Sequence, residues 1–307
     1  MTFLSLKVKE VSQPPEISGG YIFNTPEFQS LKEGGLKYFA LYEQEKPIAR
    51  ICFRIDNNKA ISGHQATFGS IDAEHPLPEE KAKYFLDYVC KTLKNEGVKE
   101  VIIKHWPECY ADSHSLHEVF INSGFEVINN EVNQHLQVRE TEFSQLIRKN
   151  EKKKLNQCIK QGYPFKKLSI DELDDIYQLV TETRVRKGFP VSMDFAGLYQ
   201  TVKSMPDKYL LFGLFDQHDL IAASVSIRIS KNILYNFYHA DEFSYRSTSP
   251  LVMLVQEIYK YCQQNGIKIL DLGISSDQGQ KNEGLFIFKE NLGCVTSNKN
   301  TYFLRYD

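Results

Sequence analysis

Tryptophan is nearly absent, one residue in 307, and the six cysteines (Cys52, Cys90, Cys109, Cys158, Cys262, Cys294) are scattered. None forms a CxxC pair or stands near a histidine at zinc-finger spacing, which excludes a zinc module and a disulfide framework. Small buried thiols in a reducing cytoplasm are expected instead. No apolar run reaches the roughly 20 residues that a membrane helix needs. The opening stretch MTFLSLKVKEV carries Lys7, Lys9 and Glu10, so no secretory apolar segment forms there and a cytoplasmic location is expected. Neither charge dominates: 37 Lys plus Arg stand against 39 Asp plus Glu, a formal net charge of -2. That balance excludes a dedicated nucleic-acid coat and leaves room for a local basic face. No His, Cys and carboxylate set is spaced for a metal, so none is expected.

Aromatics are plentiful, with 20 Phe and 17 Tyr, and the length suits two domains of ordinary size. The chain also repeats itself. Residues 38–55, YFALYEQEKPIARICFRI, and 209–229, YLLFGLFDQHDLIAASVSIRI, each read as a β-hairpin. An amphipathic helix, a Gly and a β-branched strand follow in both halves: FLDYVCKTLKNEGVKEVIIK and VQEIYKYCQQNGIKILDLG. Gly97 and Gly266 sit where a helix end turns left-handed, the position Gly fills at least cost. A third match sets VFINSGFEVINNEVNQHLQV against IFKENLGCVTSNKNTYFLRY. Gly97 to Gly266 and Gly124 to Gly293 are both 169 residues apart, an offset too constant and too long for a solenoid. The expectation is an α/β fold with mixed sheets and helices packed on them, made of two tandem domains from an internal duplication.

Thr25 and Pro26 read as the N-cap and first residue of a helix in the first half. In the second, Leu173, Ile176, Tyr177 and Val180 mark an apolar helical stripe. Between the halves, Phe143 to Gly162 carries six cations (Arg148, Lys149, Lys152, Lys153, Lys154, Lys160) and a thin seam of Leu146, Leu155, Cys158 and Ile159. It reads as one basic inter-domain helix. The domains expected are therefore 1–142, a basic helix at 143–162, and 163–307.

The element order in each half resembles the GNAT acyltransferase fold, and two such domains in one chain resemble the FemABX-like family of bacterial proteins, which includes peptidoglycan bridge-forming aminoacyltransferases. RKNEKKKLNQCIKQG, IKILDLG and GLFIFKENLG carry the match. The resemblance implies an acyltransferase that moves an acyl or aminoacyl group onto an amine to form an amide. It implies acyl-CoA or aminoacyl-tRNA as donor and a small-molecule or peptidoglycan-precursor-like acceptor. The long paired-helix arm common in members that work with tRNA is missing, so tRNA lacks that support. The alternatives are an acyl-CoA-dependent N-acetyltransferase with a degenerate phosphate turn, or a non-catalytic module that kept the GNAT cleft.

A GNAT enzyme grips pyrophosphate with a Gly-rich turn at a helix start, because bare amides must approach the phosphates. Here the second-half turn is SYRSTSPLVML. Arg246 holds the cationic position, with Ser247 and Ser249 beside it as substrate-binding candidates, but Ser249 and Leu251 replace glycines. Ser249 is expected to cap the helix with its hydroxyl and so occupy the amides a phosphate would need. In the first half, Glu74, Glu79 and Glu80 crowd the helix start and would repel an anion. Ordinary CoA binding is thus disfavoured in both halves.

The halves differ where chemistry could sit. The glycine alignment sets Phe120 against Lys289, and the resemblance gives the lysine of this FK segment a part in stabilising the acyl-transfer complex. A fixed ammonium beside a developing oxyanion suits that role; the bland reading is a solvated helix face. Asp271 interrupts an apolar strand and could take a proton, or merely tie a loop. Tyr238 is a third catalytic candidate, while His239 and Glu283 are candidates for binding the acceptor. Half the aromatics of ILYNFYHADEFSYRS must be core by alternation and half face a cleft. His105 and Trp106 read as core and loop.

Overall fold

The computed structural model describes residues 6–111, 114–277 and 279–306. The first five residues, part of the stretch read above for a secretory signal, lie outside that set. The chain forms two compact units, one of residues 1–132, 276–280 and 297–307, the other of 133–275 and 281–296.

The first unit opens with β1 (Leu6–Val11), a short helix α1 (Pro26–Gln29) and the hairpin β2 (Leu36–Glu43) and β3 (Lys46–Asp56). Thr25 caps α1 by accepting from Phe28 N at 3.2 Å. Strands β4 (Lys59–Ser62) and β5 (Asp72–Ala73) precede helix α2 (Glu79–Asn95), strand β6 (Glu100–Lys104) and helix α3 (His114–Asn122). Strand β7 (Glu126–Gln137) starts in this unit. The sheet runs β1-β2-β3-β4-β6, and the segment 301–305 pairs antiparallel with β6. Only β4 and β6 are parallel in it, a pairing that needs the crossover helix α2. That helix buries Ala82, Phe85, Leu86, Val89 and Leu93, one stripe at helical spacing. Gly97, two residues past its end, takes φ +86° as expected.

A buried ion pair fastens this unit. Arg50, wholly buried, meets Asp72 through Nε–Oδ1 and Nη2–Oδ2 contacts, both 3.2 Å. Its guanidinium also donates to the carbonyls of Pro15 and Tyr21, and Asp72 accepts from Tyr21 N at 2.7 Å and Asn24 Nδ2 at 3.2 Å. The network satisfies both charges and ties 15–24 to the sheet. His105 and Trp106 are buried, the indole donating to Ile71 O.

In the second unit the expected basic helix is two elements, α4 (Phe143–Leu146) and α5 (Lys149–Gln161). Ile147 and Arg148 between them are extended, at ψ 150° and 155°. Ile147 is buried there and Arg148 N donates to Asn291 O, so packing breaks the helix that composition alone would continue. Leu155 and Cys158 of the expected seam are buried, Leu146 is partly buried, and Ile159 is half-exposed. Next come β8 (Phe165–Leu168), α6 (Leu173–Arg186), α7 (Phe195–Ser204), β9 (Tyr209–Asp216), β10 (Asp219–Ser230) and β11 (Ile233–Asp241). Helix α8 (Pro250–Gln264), strand β12 (Ile269–Ile274), the ribbon β13 (Ser276–Asp277) and β14 (Gln280–Lys281), α9 (Glu283–Asn291) and β15 (Val295–Arg305) complete the chain. The sheet of this unit runs from residues 133–137 of β7 through β12-β11-β10-β9-β8. Helix α8 is apolar nearly all round and lies in the core with Phe212, Leu234 and Leu270.

None of the six cysteines is in a disulfide; four are buried and two half-buried. Burial pushes the Cys90 and Cys158 thiols up to about 11 and those of Cys262 and Cys294 to about 12. No described helix is long and apolar enough to cross a membrane.

Candidate functional site

In the second unit β11 and β12 run parallel and pair over only three residues, Ile233–Tyr235 with Ile269–Asp271. Beyond Tyr235 and Asp271 no ladder joins them, although both strands continue. Where two parallel strands cease to pair in mid-length, their facing backbone groups are left to other partners, and this parting is the β11–β12 wedge. Alternation along β11 turns Tyr235, Phe237 and His239 to a half-exposed face and buries Leu234, Asn236, Tyr238 and Ala240.

Gly273 shapes the β12 side. Its φ of +78° breaks the alternation of carbonyl directions, and the pairing with β7 is irregular between Asp271 and Ile274. Two successive carbonyls, of Gly273 and Ile274, therefore accept from one donor, Lys289 Nζ, at 2.8 and 2.9 Å. A Cβ at 273 would meet the Tyr235 ring at 3.1 Å, so glycine serves both the turn and the close approach. Asp271 Oδ1 accepts from Gly273 N at 2.7 Å and from Asn133 Nδ2 at 2.9 Å, fixing that turn.

Lys289, in the last turn of α9, is 2% exposed, which removes the solvated-face reading. Burial lowers its pKa to about 8, opposed by the charge of Asp271. An ammonium that is buried, anchored on two carbonyls and near its titration point is a preorganised positive charge.

At the outer end of β11 the sequence brings four more cations together. Arg184 and Arg186, in the last turn of α6, and Lys187 just beyond it join Arg246 around the end of β11. Burial pushes the Asp241 carboxyl up, while Lys187, Arg246 and Arg186 pull it down. Arg186 and Arg246 both lie over the exposed Phe243 ring, at 4.7 and 5.5 Å from its centroid. His239 feels both groups of charge. Burial first, then Lys289, Lys187 and Arg184, push its pKa down to about 3, so the imidazole is neutral at physiological pH. Its Nδ1 is buried with no hydrogen-bond partner.

Lys289, Asp271 and His239 of the expected residues are thus gathered at the wedge, with Arg246 among the outer cations. The others lie elsewhere. Tyr238 is on the core face, its hydroxyl bonded to Ser192 Oγ at 2.6 Å and accepting from Met193 N at 3.2 Å. Glu283 is exposed and ion-paired with Lys281. Ser247 is exposed. Ser249 stands before α8 as expected, yet at φ +53° its hydroxyl makes no capping bond, which corrects the expectation that it occupies the helix-start amides. In the first unit, Glu79 and Glu80 are in the first turn of α2 and Glu74 pairs with Lys46. Phe120 occupies in α3 the place Lys289 has in α9, and is wholly buried against Phe125 and Tyr302.

Sequence reasoning missed Arg184, Arg186, Lys187 and Gly273. Cations in a last helical turn ordinarily answer the helix dipole, so TRVRKG carried no separate signal. A glycine closing a β-branched strand was the available hint for Gly273.

No family model matches the sequence, and no curated protein matches it. Solved structures do. FemX superposes with a TM-score of 0.73 at 12% identity, over 96% of this chain and 94% of FemX. L-PGS from Bacillus licheniformis gives 0.63 at 13% identity, over 94% of this chain and 88% of that one. A tandem GNAT protein from the clavulanic acid biosynthesis pathway gives 0.55 at 7% identity, over 98% of both chains. At such identities the likeness is one of fold: this chain has the mixed α/β fold of FemX and of tandem GNAT proteins.

Proposed function

We propose that this protein is an acyltransferase that moves an acyl or aminoacyl group onto an amine, with its reaction centre at the β11–β12 wedge. The observation that carries the reading is Lys289, buried and held on the carbonyls of Gly273 and Ile274 beside Asp271. In the reaction the acceptor nitrogen bonds to the donor carbonyl carbon. The electron pair of the carbonyl moves to oxygen, and that oxyanion is stabilised by the Lys289 ammonium. Collapse of the tetrahedral intermediate breaks the ester or thioester bond, and the proton lost by the amine is taken up by the leaving group or by water. Asp271 acts as a positioning residue through Gly273 N, and neutral His239 offers a hydrogen bond to the acceptor. Arg184, Arg186, Lys187 and Arg246 would take the anionic groups of a donor or acceptor.

The resemblance to FemABX-like proteins supports an aminoacyl donor and a peptidoglycan-precursor-like acceptor. A second reading, an acyl-CoA donor, gains from the start of α8, where the Ser249 hydroxyl caps no amide, although Val252 N already donates to Ser249 O at 3.0 Å. The constant offset between the halves supports duplication of one GNAT-like domain, divided near the segment 143–162. Six cysteines in the thiol form are in keeping with a cytoplasmic location.

Isothermal titration with acetyl-CoA, a long-chain acyl-CoA and charged tRNA decides the donor. Saturable binding of either CoA, weakened by Arg246→Ala, selects the acyl-CoA reading. Binding of charged tRNA alone selects the aminoacyl one. If none binds, transfer chemistry at this wedge is contradicted.

A further inference from the structure

The end of α6 carries a surface that the transfer chemistry does not explain. Residues 185–190, VRKGFP, are all exposed, Val185 to 70% and Phe189 to 41%. The turn that presents them is well formed. Gly188, at φ +75°, closes the helix, with Gly188 N donating to Val185 O and Phe189 N to Arg184 O, both at 3.0 Å. In such a turn the residue after the glycine ordinarily packs on an apolar residue of the last helical turn. Thr183 and Arg184 hold those places here, so Phe189 is left to solvent. Arg184 Nη1 donates to Pro190 O at 3.2 Å and pins the far side of the turn.

A second exposed ring joins it. Phe243, 53% exposed, lies in the short turn Phe243–Tyr245 and meets the end of α6 through the Arg186 guanidinium over its ring. Three exposed apolar side chains and four cations, Arg184, Arg186, Lys187 and Arg246, thus share one face of the second unit. The hydrogen bonds of Arg184 and Arg186 go to neutral groups, Pro190 O and Thr183 Oγ1. Asp241, the acid these cations act on, is itself buried. The outward face is therefore positive and apolar together. Apolar side chains exposed singly are ordinary, whereas a cluster rimmed by charge marks an interaction surface.

Cations alone would suit any polyanion, and the apolar members decide between them. Single-stranded nucleic acid is gripped by aromatic rings on which bases stack, a part that Val185 cannot play. An anionic bilayer offers phosphates at its surface and hydrocarbon within about 5–10 Å of it, which matches short apolar side chains set among cations.

We propose that this face docks the protein on the surface of an anionic phospholipid bilayer. Val185, Phe189 and Phe243 enter the headgroup boundary, while Arg184, Arg186, Lys187 and Arg246 lie among the lipid phosphates. Three short anchors make the docking reversible and dependent on charge. The proposal does not rest on the transfer reading, which turns on Lys289 and its anchor.

The test is sedimentation of the full chain with three kinds of vesicle. One is phosphatidylcholine alone; the others mix it with phosphatidylglycerol or with phosphatidylserine. Both anionic vesicles should carry the protein down to a similar extent, phosphatidylcholine alone should not, and about 1 M salt should release it. Arg186→Gln and Arg246→Gln should each weaken binding about fivefold. Val185→Ser combined with Phe189→Ser, at exposed positions that do not burden the fold, should weaken it at least about tenfold. In Phe189→Trp the only other indole, Trp106, is buried in the first unit, so a blue shift of emission on adding anionic vesicles reports entry of residue 189. The proposal is overturned if neither anionic vesicle binds the native chain, or if only one headgroup does. It is also overturned if the double serine variant binds as the native chain does, or if the emission of Phe189→Trp is unmoved. Binding of a single-stranded RNA through the same arginines, with no binding of vesicles, would assign the face to nucleic acid instead.

Discussion

In the proposed reaction the chemistry turns on Lys289, and its surroundings fix how pH must then act. Its pKa in the folded chain is about 8, below the ordinary 10.5. As an oxyanion-stabilising cation it loses its proton, and its effect, as pH rises through about 8. The transfer rate should therefore fall on an alkaline limb centred near that value, and Lys289→Arg should move the limb upward because guanidinium does not titrate there. A rate that rises through the same range would make the residue a base instead. Stability obeys the same linkage with a definite sign. Between about 8 and 10.5 the unfolded chain binds more protons at this position than the folded one. The unfolding free energy of the native chain, measured relative to Lys289→Met, should rise with pH across that window. His239, held neutral by burial and by Lys289, Lys187 and Arg184, should show no titration between pH 5 and 9 by NMR.

At the scale of elements, the break in β12 does what neither neighbouring helix can. Only because Gly273 turns left-handed do two consecutive carbonyls reach one ammonium. Gly273→Ala should cost about 1–2 kcal/mol from backbone strain and the Tyr235 contact. The transfer rate should fall by far more than that loss explains, since the anchor of Lys289 is displaced; urea unfolding and single-turnover rates measured together test this. In the first unit, Arg50→Leu strands the buried Asp72 carboxylate and should cost about 3–5 kcal/mol. A loss below about 1 kcal/mol in denaturant titration would show that the network is not holding 15–24 to the sheet.

Across the whole molecule, element order was legible because its punctuation is local. Gly97 and Gly266 mark helix ends by a backbone requirement no other residue meets as cheaply, and both are left-handed in the structure. Strand partnership was not legible. Residues 133–137 join the second unit's sheet and 301–305 pair within the first, a choice made by long-range pairing to which the alternating pattern of each strand is indifferent. The Arg50–Asp72 pair escaped for a related reason, since an arginine in an alternating strand reads as solvent-facing. Lys289 was legible because the corresponding residue of the other half is Phe120, and a lysine in a packing position needs a cause. Ser249 misled because residue type suggests a cap while the left-handed backbone prevents it.

The most direct test of the account is the single-turnover rate of amide formation by the native chain and by Lys289→Met, with the donor that binds and an excess of amine acceptor. The account predicts a loss of at least about a hundredfold, the usual scale for removing one oxyanion-stabilising group, with the melting temperature largely retained. Transfer by Lys289→Met at the native rate would contradict it.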